Sequence, residues 1–137
     1  IQEQRGRFTE AIEAYQTAIR VEPNTTGART NLAAMLETLA SQQPPRKAET
    51  MLAKAKEMRQ QELPLLARDA GLAPDSAPLQ YRYGLALYLD GEIDQALDQL
   101  NRAVELAPGE GQFRQARDLL KEKKDAIESK NDSLKAQ

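Results

Sequence analysis

The segment from Tyr81 to Pro108 constrains the fold of this chain more than any other, because its pattern predicts two amphipathic helices joined by a short turn. Large apolar residues recur at steps of three and four residues, as on the buried face of a helix, and these are Tyr83, Leu87, Leu97, Leu100 and Val104. Small residues, namely Gly84, Ala96 and Ala103, fall on the sides that must face each other. A turn is predicted at Asp90 and Gly91, and Pro108 ends the second helix because proline cannot continue one. We therefore predict a closely packed helical hairpin.

Composition extends the prediction of helices to the whole chain. Its 137 residues are rich in Ala, Leu, Gln, Glu, Lys and Arg, which are good helix formers. The seven Gly and seven Pro fall almost entirely between the periodic segments, where they would end helices and form turns. An all-α fold is therefore the expectation.

The absence of Cys and His excludes several kinds of site. A chain without them has no disulfide, no thiol nucleophile and no imidazole or thiolate ligand for a metal. Asp94 and Asp98 could hold a hard cation, but acids in the first turn of a helix are more simply explained by the helix dipole. The net charge of −2 gives no reason to expect nucleic acid, and no apolar run is long enough for a membrane span. We expect no catalytic residue, no metal and no cofactor.

The order of small, large and turn residues in this segment resembles the tetratricopeptide repeat, a helix-turn-helix unit of about 34 residues. The matching positions are Gly84, Leu87, Gly91, Ala96, Leu100, Ala103 and Pro108. Tyr83 stands where the family usually has Leu, and Gln80 stands where it favours Trp. The resemblance implies a right-handed α-α superhelix of helix hairpins, and it specifies a fold rather than a chemistry.

Less regular versions of the same unit flank this segment. Gly6, Ala11, Tyr15, Ala18 and Pro23 repeat the pattern of Gly91 to Pro108, which predicts a turn at Gly6 and a helix over residues 8–21. We expect one tetratricopeptide-like domain over residues 1–129. It would comprise a half repeat (1–23), a degenerate extended repeat (24–74), the regular repeat (75–108) and a capping helix (109–129), followed by a frayed polar tail (130–137). Because the chain starts inside a repeat, we expect it to be part of a longer protein.

The extended repeat contains the least regular stretch. Pro23 and Pro108 lie farther apart than two repeats would place them, and most of the excess equals about four helical turns. An insertion of whole turns keeps the apolar stripe in phase, so we predict one long helix over residues 46–70, ended by Gly71 as C-cap. Pro64 would interrupt the backbone hydrogen bonds of that helix. The alternative is therefore a break near Glu62 and a separate short helix over residues 64–70.

Polar residues mark the expected ends of three other helices. One of Asn24, Thr25 and Thr26 would cap the helix over residues 27–39, and Asp75 or Ser76 would cap the helix of the regular repeat. The capping helix is expected from Gly111 to about Ser129, with an apolar inner side. Its charged outer side would carry Arg114, Arg117, Lys121, Lys123, Lys124 and Asp125.

The resemblance also implies a binding surface, because tetratricopeptide arrays normally bind partners in a concave groove lined by the first helix of each repeat. The candidate partner-binding residues on that face are Asn31, Tyr81, Arg82, Leu85 and Tyr88. Tyr and Arg side chains are enriched at binding hot spots. Asn31 and Arg82 fall where some family members grip a terminal carboxylate, but Pro78 stands where a Lys of that clamp is expected. The alternative is that this face packs on another helix or on a neighbouring chain.

These features favour a noncatalytic module for protein–protein interaction or assembly. Its partner would be a protein or peptide, or the rest of a larger chain or assembly, bound through the groove or the exposed ends. The alternative is a structural C-terminal portion of a larger exported enzyme or electron-transfer protein, or a self-assembling filament subunit. The compartment is not legible from the sequence: a soluble cytoplasmic, periplasmic or extracellular protein would fit equally.

Overall fold

Six helices make up the computed structural model, which describes residues 2–136, with side chains from residue 6 onward. They are α1 (Gln2–Val21), α2 (Ala28–Ala40), α3 (Pro45–Leu72), α4 (Ala77–Leu89), α5 (Ile93–Leu106) and α6 (Gly111–Ala136). Ile1 and Gln137 lie outside the described residues. No strand occurs between residues 2 and 136, so the prediction of an all-α fold is confirmed.

Contacts between Cα atoms divide the chain into two compact units, one ending at Leu66 and the other beginning at Ala67. The boundary falls inside α3, which therefore contributes residues to both units. The expected single domain over residues 1–129 and its division into repeats stay predictions.

The first unit packs α1, α2 and most of α3 around one apolar core. Fully buried core residues come from α2 and α3, and they are Leu32, Ala33, Ala55 and Met58. The contribution of α1 is only partly buried and consists of Ile12, Tyr15 and Ile19. The stripe at three- and four-residue spacing in α1 thus faces this core.

The predicted turn at Gly6 does not form, and α1 is a single helix of 20 residues from Gln2 to Val21. Gly6 is itself helical. The described glycines with a positive φ angle are Gly27 and Gly91, so Gly6 does not have the backbone conformation of a glycine turn. Apart from Gly6, residues 2–10 contain no Gly or Pro and are mostly Gln, Glu and Arg, which are good helix formers. Continuing α1 instead gives each of these residues a place in one helical hydrogen-bond ladder.

The start of α2 corrects a second expectation. Gly27 occupies the N-cap position with a φ of 107°, and no side chain caps the helix from that position. The carboxylate of Glu62, on α3, accepts a hydrogen bond from the Gly27 amide. Arg29 lies beside it and donates through Nη1 to the carbonyl oxygen of Pro23 at 2.7 Å. A residue 35 positions away thus accepts from the amide of the N-cap residue, as the Glu or Gln of a capping box does locally in other helices.

The long helix is confirmed, since α3 runs unbroken for 28 residues with Pro64 inside it. Pro64 is exposed, so its ring does not disturb the core. Only the predicted end is wrong: Gly71 is part of the helix, which continues to Leu72. Gly71 lacks the positive φ that a left-handed C-cap requires.

In the second unit, α4 and α5 form the predicted hairpin. Ser76 caps α4, its Oγ accepting from the Leu79 amide at 3.4 Å, which confirms one of the two expected caps. The turn contains Gly91 with a φ of 86°, a conformation that glycine adopts without steric cost. A Cβ on Gly84 would lie 3.0 Å from Leu100 Cδ2, so the absent side chain is what lets the two helices approach.

The last helix is longer than expected. α6 extends to Ala136, so residues 130–136, predicted to fray, are helical and exposed. No Gly or Pro occurs after Gly111, and Lys, Glu, Ala and Leu predominate, so nothing in the sequence ends the helix at Ser129. Its first half packs through Phe113 and Leu120, which are its two buried residues.

Candidate functional site

A cavity of about 410 Å³ lies among α4, α5 and α6 in the second unit. Its lining is almost wholly apolar, and consists of Leu85, Tyr88, Leu100, Ala116, Leu119, Leu120 and Lys123. The volume lies within the range of sites that hold small ligands or single side chains. Two of the predicted groove residues, Leu85 and Tyr88, are therefore brought together here.

The floor and the mouth of the cavity differ in exposure. Leu100 and Leu120 are 1% and 4% exposed, so they form a buried apolar floor. Leu119 is 60% exposed, although it is one of the lining residues. A large apolar side chain at a cavity mouth can bury further surface when a partner covers it, and the gain is about 25 cal/mol per Å².

The polar edge of the cavity is a pair of side chains from α4 and α6. Lys123 Nζ donates a hydrogen bond to the Tyr88 hydroxyl, and it also lies 4.9 Å from the centre of the Tyr88 ring. The sequence predicts Lys123 on the outer side of the capping helix, and the residue is indeed exposed. Its contact with α4 is not predicted, because the spacing within α6 does not show which helix lies beside this position.

Tyr81 has a packing role. Its ring stacks on Phe113 of α6, with centroids 4.6 Å apart and an angle of 30° between the planes. It also packs against the core cluster formed by Ala77, Ala103, Val104 and Phe113. For Tyr81 the alternative prediction, that this face packs on another helix, describes the observed contact, since the ring is half-buried against α6.

The remaining two predicted groove residues lie apart from the cavity lining. Arg82 is exposed on α4, and Asn31 is exposed on α2, in the first unit. Neither is among the residues that line the cavity. The five predicted residues thus separate into a cavity pair, a packing residue and two exposed side chains, and their role in partner binding stays a prediction.

Lys124 is another of the α6 residues that the sequence predicts on the outer side. Its Nζ lies 3.0 Å from Asp94 Oδ1 at the start of α5. The hydrogen bond to Asp94 and the negative charge of that carboxylate raise the pKa of Lys124 above its ordinary value. Asp94 is thus in an ion pair, and residues 2–136 contain no group of three or more potential metal ligands.

Sequence reasoning missed the α6 side of the cavity. Ala116, Leu119, Leu120 and Lys123 lie at spacings of one, three and four residues, as on one helix face. That signal is present in the sequence, where it predicts only the inner side of a cap. The spacing within α6 does not show which helix lies next to this face, so it does not predict that Tyr88 lies opposite Lys123.

Comparison with family models decides the classification. A model described as TPR repeat matches residues 4–39, and a second, described as tetratricopeptide repeat, matches residues 63–111. The chain belongs to the tetratricopeptide repeat family. The matches include α1 with most of α2, and the end of α3 with α4 and α5. Tetratricopeptide proteins are in general noncatalytic scaffolds for protein interaction, and this chain has their fold.

Solved tetratricopeptide structures resemble the chain along most of its length. The part of MamA from residue 41 to the end, from Desulfovibrio magneticus RS-1, aligns with 98% of this chain at a TM-score of 0.56 and 19% identity, over 66% of its own length. A thermophilic tetratricopeptide protein of Thermus thermophilus aligns with 87% at a TM-score of 0.54 and 27% identity, over 58% of its own length. This tetratricopeptide chain thus spans about three fifths of the length of these structures.

The search of curated proteins found no match to this tetratricopeptide chain. Among residues 2–136, none of the helices combines the length and the apolar character that crossing a bilayer requires.

Proposed function

We propose that this chain is a noncatalytic protein-interaction module that binds a segment of a partner protein in the cavity among α4, α5 and α6. The observation that carries the proposal is the apolar cavity of about 410 Å³. Membership of a family of interaction scaffolds agrees with it. A site of this kind can accept one large apolar side chain of a partner.

The chemistry of the lining supports binding rather than catalysis. Tyr88 and Lys123 are its only titratable residues, and they contact each other. A hydrolytic or acid–base mechanism needs a base or nucleophile within hydrogen-bond reach of a reacting atom. A Tyr–Lys pair at the edge of an apolar cavity is better suited to positioning a polar group next to a buried anchor.

Filling the cavity tests the proposal. Peptides selected from a random phage-displayed library on the wild-type chain would be synthesised, and their affinities measured by fluorescence anisotropy. Ala116→Phe places a ring in the cavity and should weaken binding at least about tenfold, because burial of an apolar anchor contributes about 1.5–3 kcal/mol. The melting temperature of the variant would show that it remains folded.

Ala14→Phe is the matched control, since Ala14 is exposed on α1 and lies outside the cavity lining. It adds the same ring to the surface and should leave the affinity within about twofold, which is less than about 0.5 kcal/mol. The proposal is wrong if no peptide is selected, or if the selected peptides bind Ala116→Phe as tightly as the wild type.

A further inference from the structure

A stripe of exposed residues continues from the cavity along α6. It consists of Leu119, Lys123, Ile127, Lys130 and Leu134, at steps of four, four, three and four residues. With about 3.6 residues per turn, these positions fall within a sector of about 80° on the helix surface. Leu119, Ile127 and Leu134 are 60%, 45% and 61% exposed, which is high for large apolar residues on a helix that otherwise presents charge.

The charges in this stripe have one sign. Its two charged residues are Lys123 and Lys130, and the acids of α6 all lie outside the sector. Those acids are Asp118, Glu122, Asp125, Glu128 and Asp132. On the other side of the cavity, α4 carries Arg82 and no acid at all. The stripe itself is thus positive and apolar, although the net charge of the chain is −2.

We propose that this stripe, beginning at the cavity, binds an acidic amphipathic helix of a partner protein. The proposal rests on the proposed function and adds the chemistry and the conformation of the bound segment. Charge complementarity identifies the partner, because a basic helix would face both Lys123 and Lys130, and like charges at close range are unfavourable. Carboxylates opposite these two residues would steer the encounter and fix the register of the helices.

The spacing of the stripe favours a helix over an extended segment. Apolar anchors at steps of three and four residues match the face that one helix presents to another. From Leu119 to Leu134 the stripe is about 22 Å long, which is about four turns of a partner helix. Lys123 and Lys130 are about two turns apart, so carboxylates about seven residues apart on the partner would meet both.

Lys123 can serve the cavity and the partner together. Its ammonium group has three donors, and the Tyr88 hydroxyl accepts one of them. The contact with Tyr88 holds the ammonium at the cavity edge, beside the position of a bound apolar side chain. A carboxylate one turn from that side chain would find a donor already in place, which lowers the entropy lost on binding.

The test uses the full chain and a library of random peptides of about 16 residues, long enough to cover the stripe as a helix. Selected peptides should be acidic, with apolar residues at steps of three and four. Lys123→Glu combined with Lys130→Glu should weaken a representative peptide about tenfold to thirtyfold, because each change replaces an attraction by a repulsion. Raising the salt concentration should weaken binding to the wild type and not to this double variant.

Lys121→Glu combined with Lys135→Glu is the matched control, since it changes the net charge equally on the opposite side of α6. It should leave the affinity within about threefold of the wild type, because long-range effects of net charge are screened by salt. Circular dichroism would verify that both double variants keep their helices, which is expected because all four lysines are exposed.

Three results would overturn the inference. Peptides that lose affinity in Ala116→Phe but carry no excess of acids would refute the acidic partner and leave the proposed function intact. A selection that yields no peptide would refute both. Self-association of the chain, measured by light scattering and abolished by the Lys123 and Lys130 reversals, would show that a second copy occupies the stripe.

Discussion

For two residues of the regular repeat, Gln80 and Gly84, the residue type alone does not predict which atoms lie next to them. Gln80, where the family favours Trp, is 3% exposed, and its Nε2 donates to the Ala70 carbonyl oxygen at 3.1 Å. The amide thus satisfies a carbonyl near the end of α3, where no further helical amide follows. Gln80 lacks the large apolar side chain that the family favours at this position. Its amide instead forms a polar link between the end of α3 and α4.

Gly84 is the second such residue, and replacing it by Ala should destabilise the chain. The new Cβ would lie 3.0 Å from Leu100 Cδ2 and 3.3 Å from the Ala96 carbonyl oxygen, and the latter belongs to the backbone of α5, which can yield only by a shift of the helix. Overpacking costs about 1–3 kcal/mol, while the better helix propensity of Ala offsets about 1 kcal/mol. Chemical denaturation should show a net loss of up to about 2 kcal/mol in the free energy of unfolding.

Gly71→Ala is the control for that measurement. Gly71 is helical, and a Cβ added to it would have no neighbouring atom within 4 Å, so the same substitution meets open space. It should be neutral or stabilising by up to about 1 kcal/mol. Equal effects at the two positions would show that the approach of α4 to α5 does not depend on Gly84.

In α3, a local residue preference opposes helix formation, whereas tertiary packing favours it. Pro64 removes one backbone hydrogen bond from its interior, yet the helix continues to Leu72. On either side of Pro64 the helix buries Met58, Glu62, Leu66 and Ala70, which follow one another at steps of four residues. Burial of this stripe offsets the local cost of proline, because packing supplies most of the stability of a helix in a protein.

Pro64→Ala should stabilise the chain. It restores an amide that can donate to the carbonyl of Gln60, and the exposed ring it removes makes no core contact. Proline in a helix interior costs about 3 kcal/mol relative to Ala, partly offset by the entropy that proline removes from the unfolded chain. We expect a gain of about 1–3 kcal/mol in the free energy of unfolding, measured by denaturant titration.

Pro45→Ala provides the comparison, because Pro45 is the first residue of the same helix. Proline is tolerated at that position, whose amide has no helical acceptor in any case. Its replacement should change the free energy of unfolding by less than about 0.5 kcal/mol. A gain at Pro45 as large as that at Pro64 would mean that the cost of proline does not come from the interrupted helix.

Over the whole molecule, burial is unevenly distributed between helices. α5 contributes Ala96, Leu100, Ala103 and Val104 to the buried residues, whereas none of residues 6–21 in α1 is fully buried. Local stability follows the density of buried apolar contacts. The chain should therefore open first at α1 and last at α5.

Hydrogen exchange followed by mass spectrometry tests this order. Amides of α5 should exchange at least about tenfold more slowly than amides in the middle of α1, a difference of about 1.4 kcal/mol in opening free energy. Within α6, the half that contains Phe113 and Leu120 should exchange more slowly than the exposed half after residue 124. Uniform protection across α1, α5 and α6 would contradict the expectation.

The positions and types of most helices were determined by the sequence alone. Apolar spacing, the turn at Gly91 and the cap at Ser76 are local signals, and each acts over a few residues whatever the rest of the chain does. The continuous helix across Pro64 was also predictable, because its stripe stays in phase. The predicted boundaries at Gly6 and Ser129 were wrong. They came from the family's repeat pattern and not from residues that stop a helix.

Tertiary structure alone decided which side chains meet. The carboxylate of Glu62 receives the amide of Gly27, Lys123 contacts Tyr88, and Tyr81 stacks on Phe113. Each pair joins residues more than 30 positions apart, so no local spacing reveals it. Periodicity determines which face of a helix is buried, whereas the identity of the neighbour on that face depends on how the helices pack, and that packing formed the cavity.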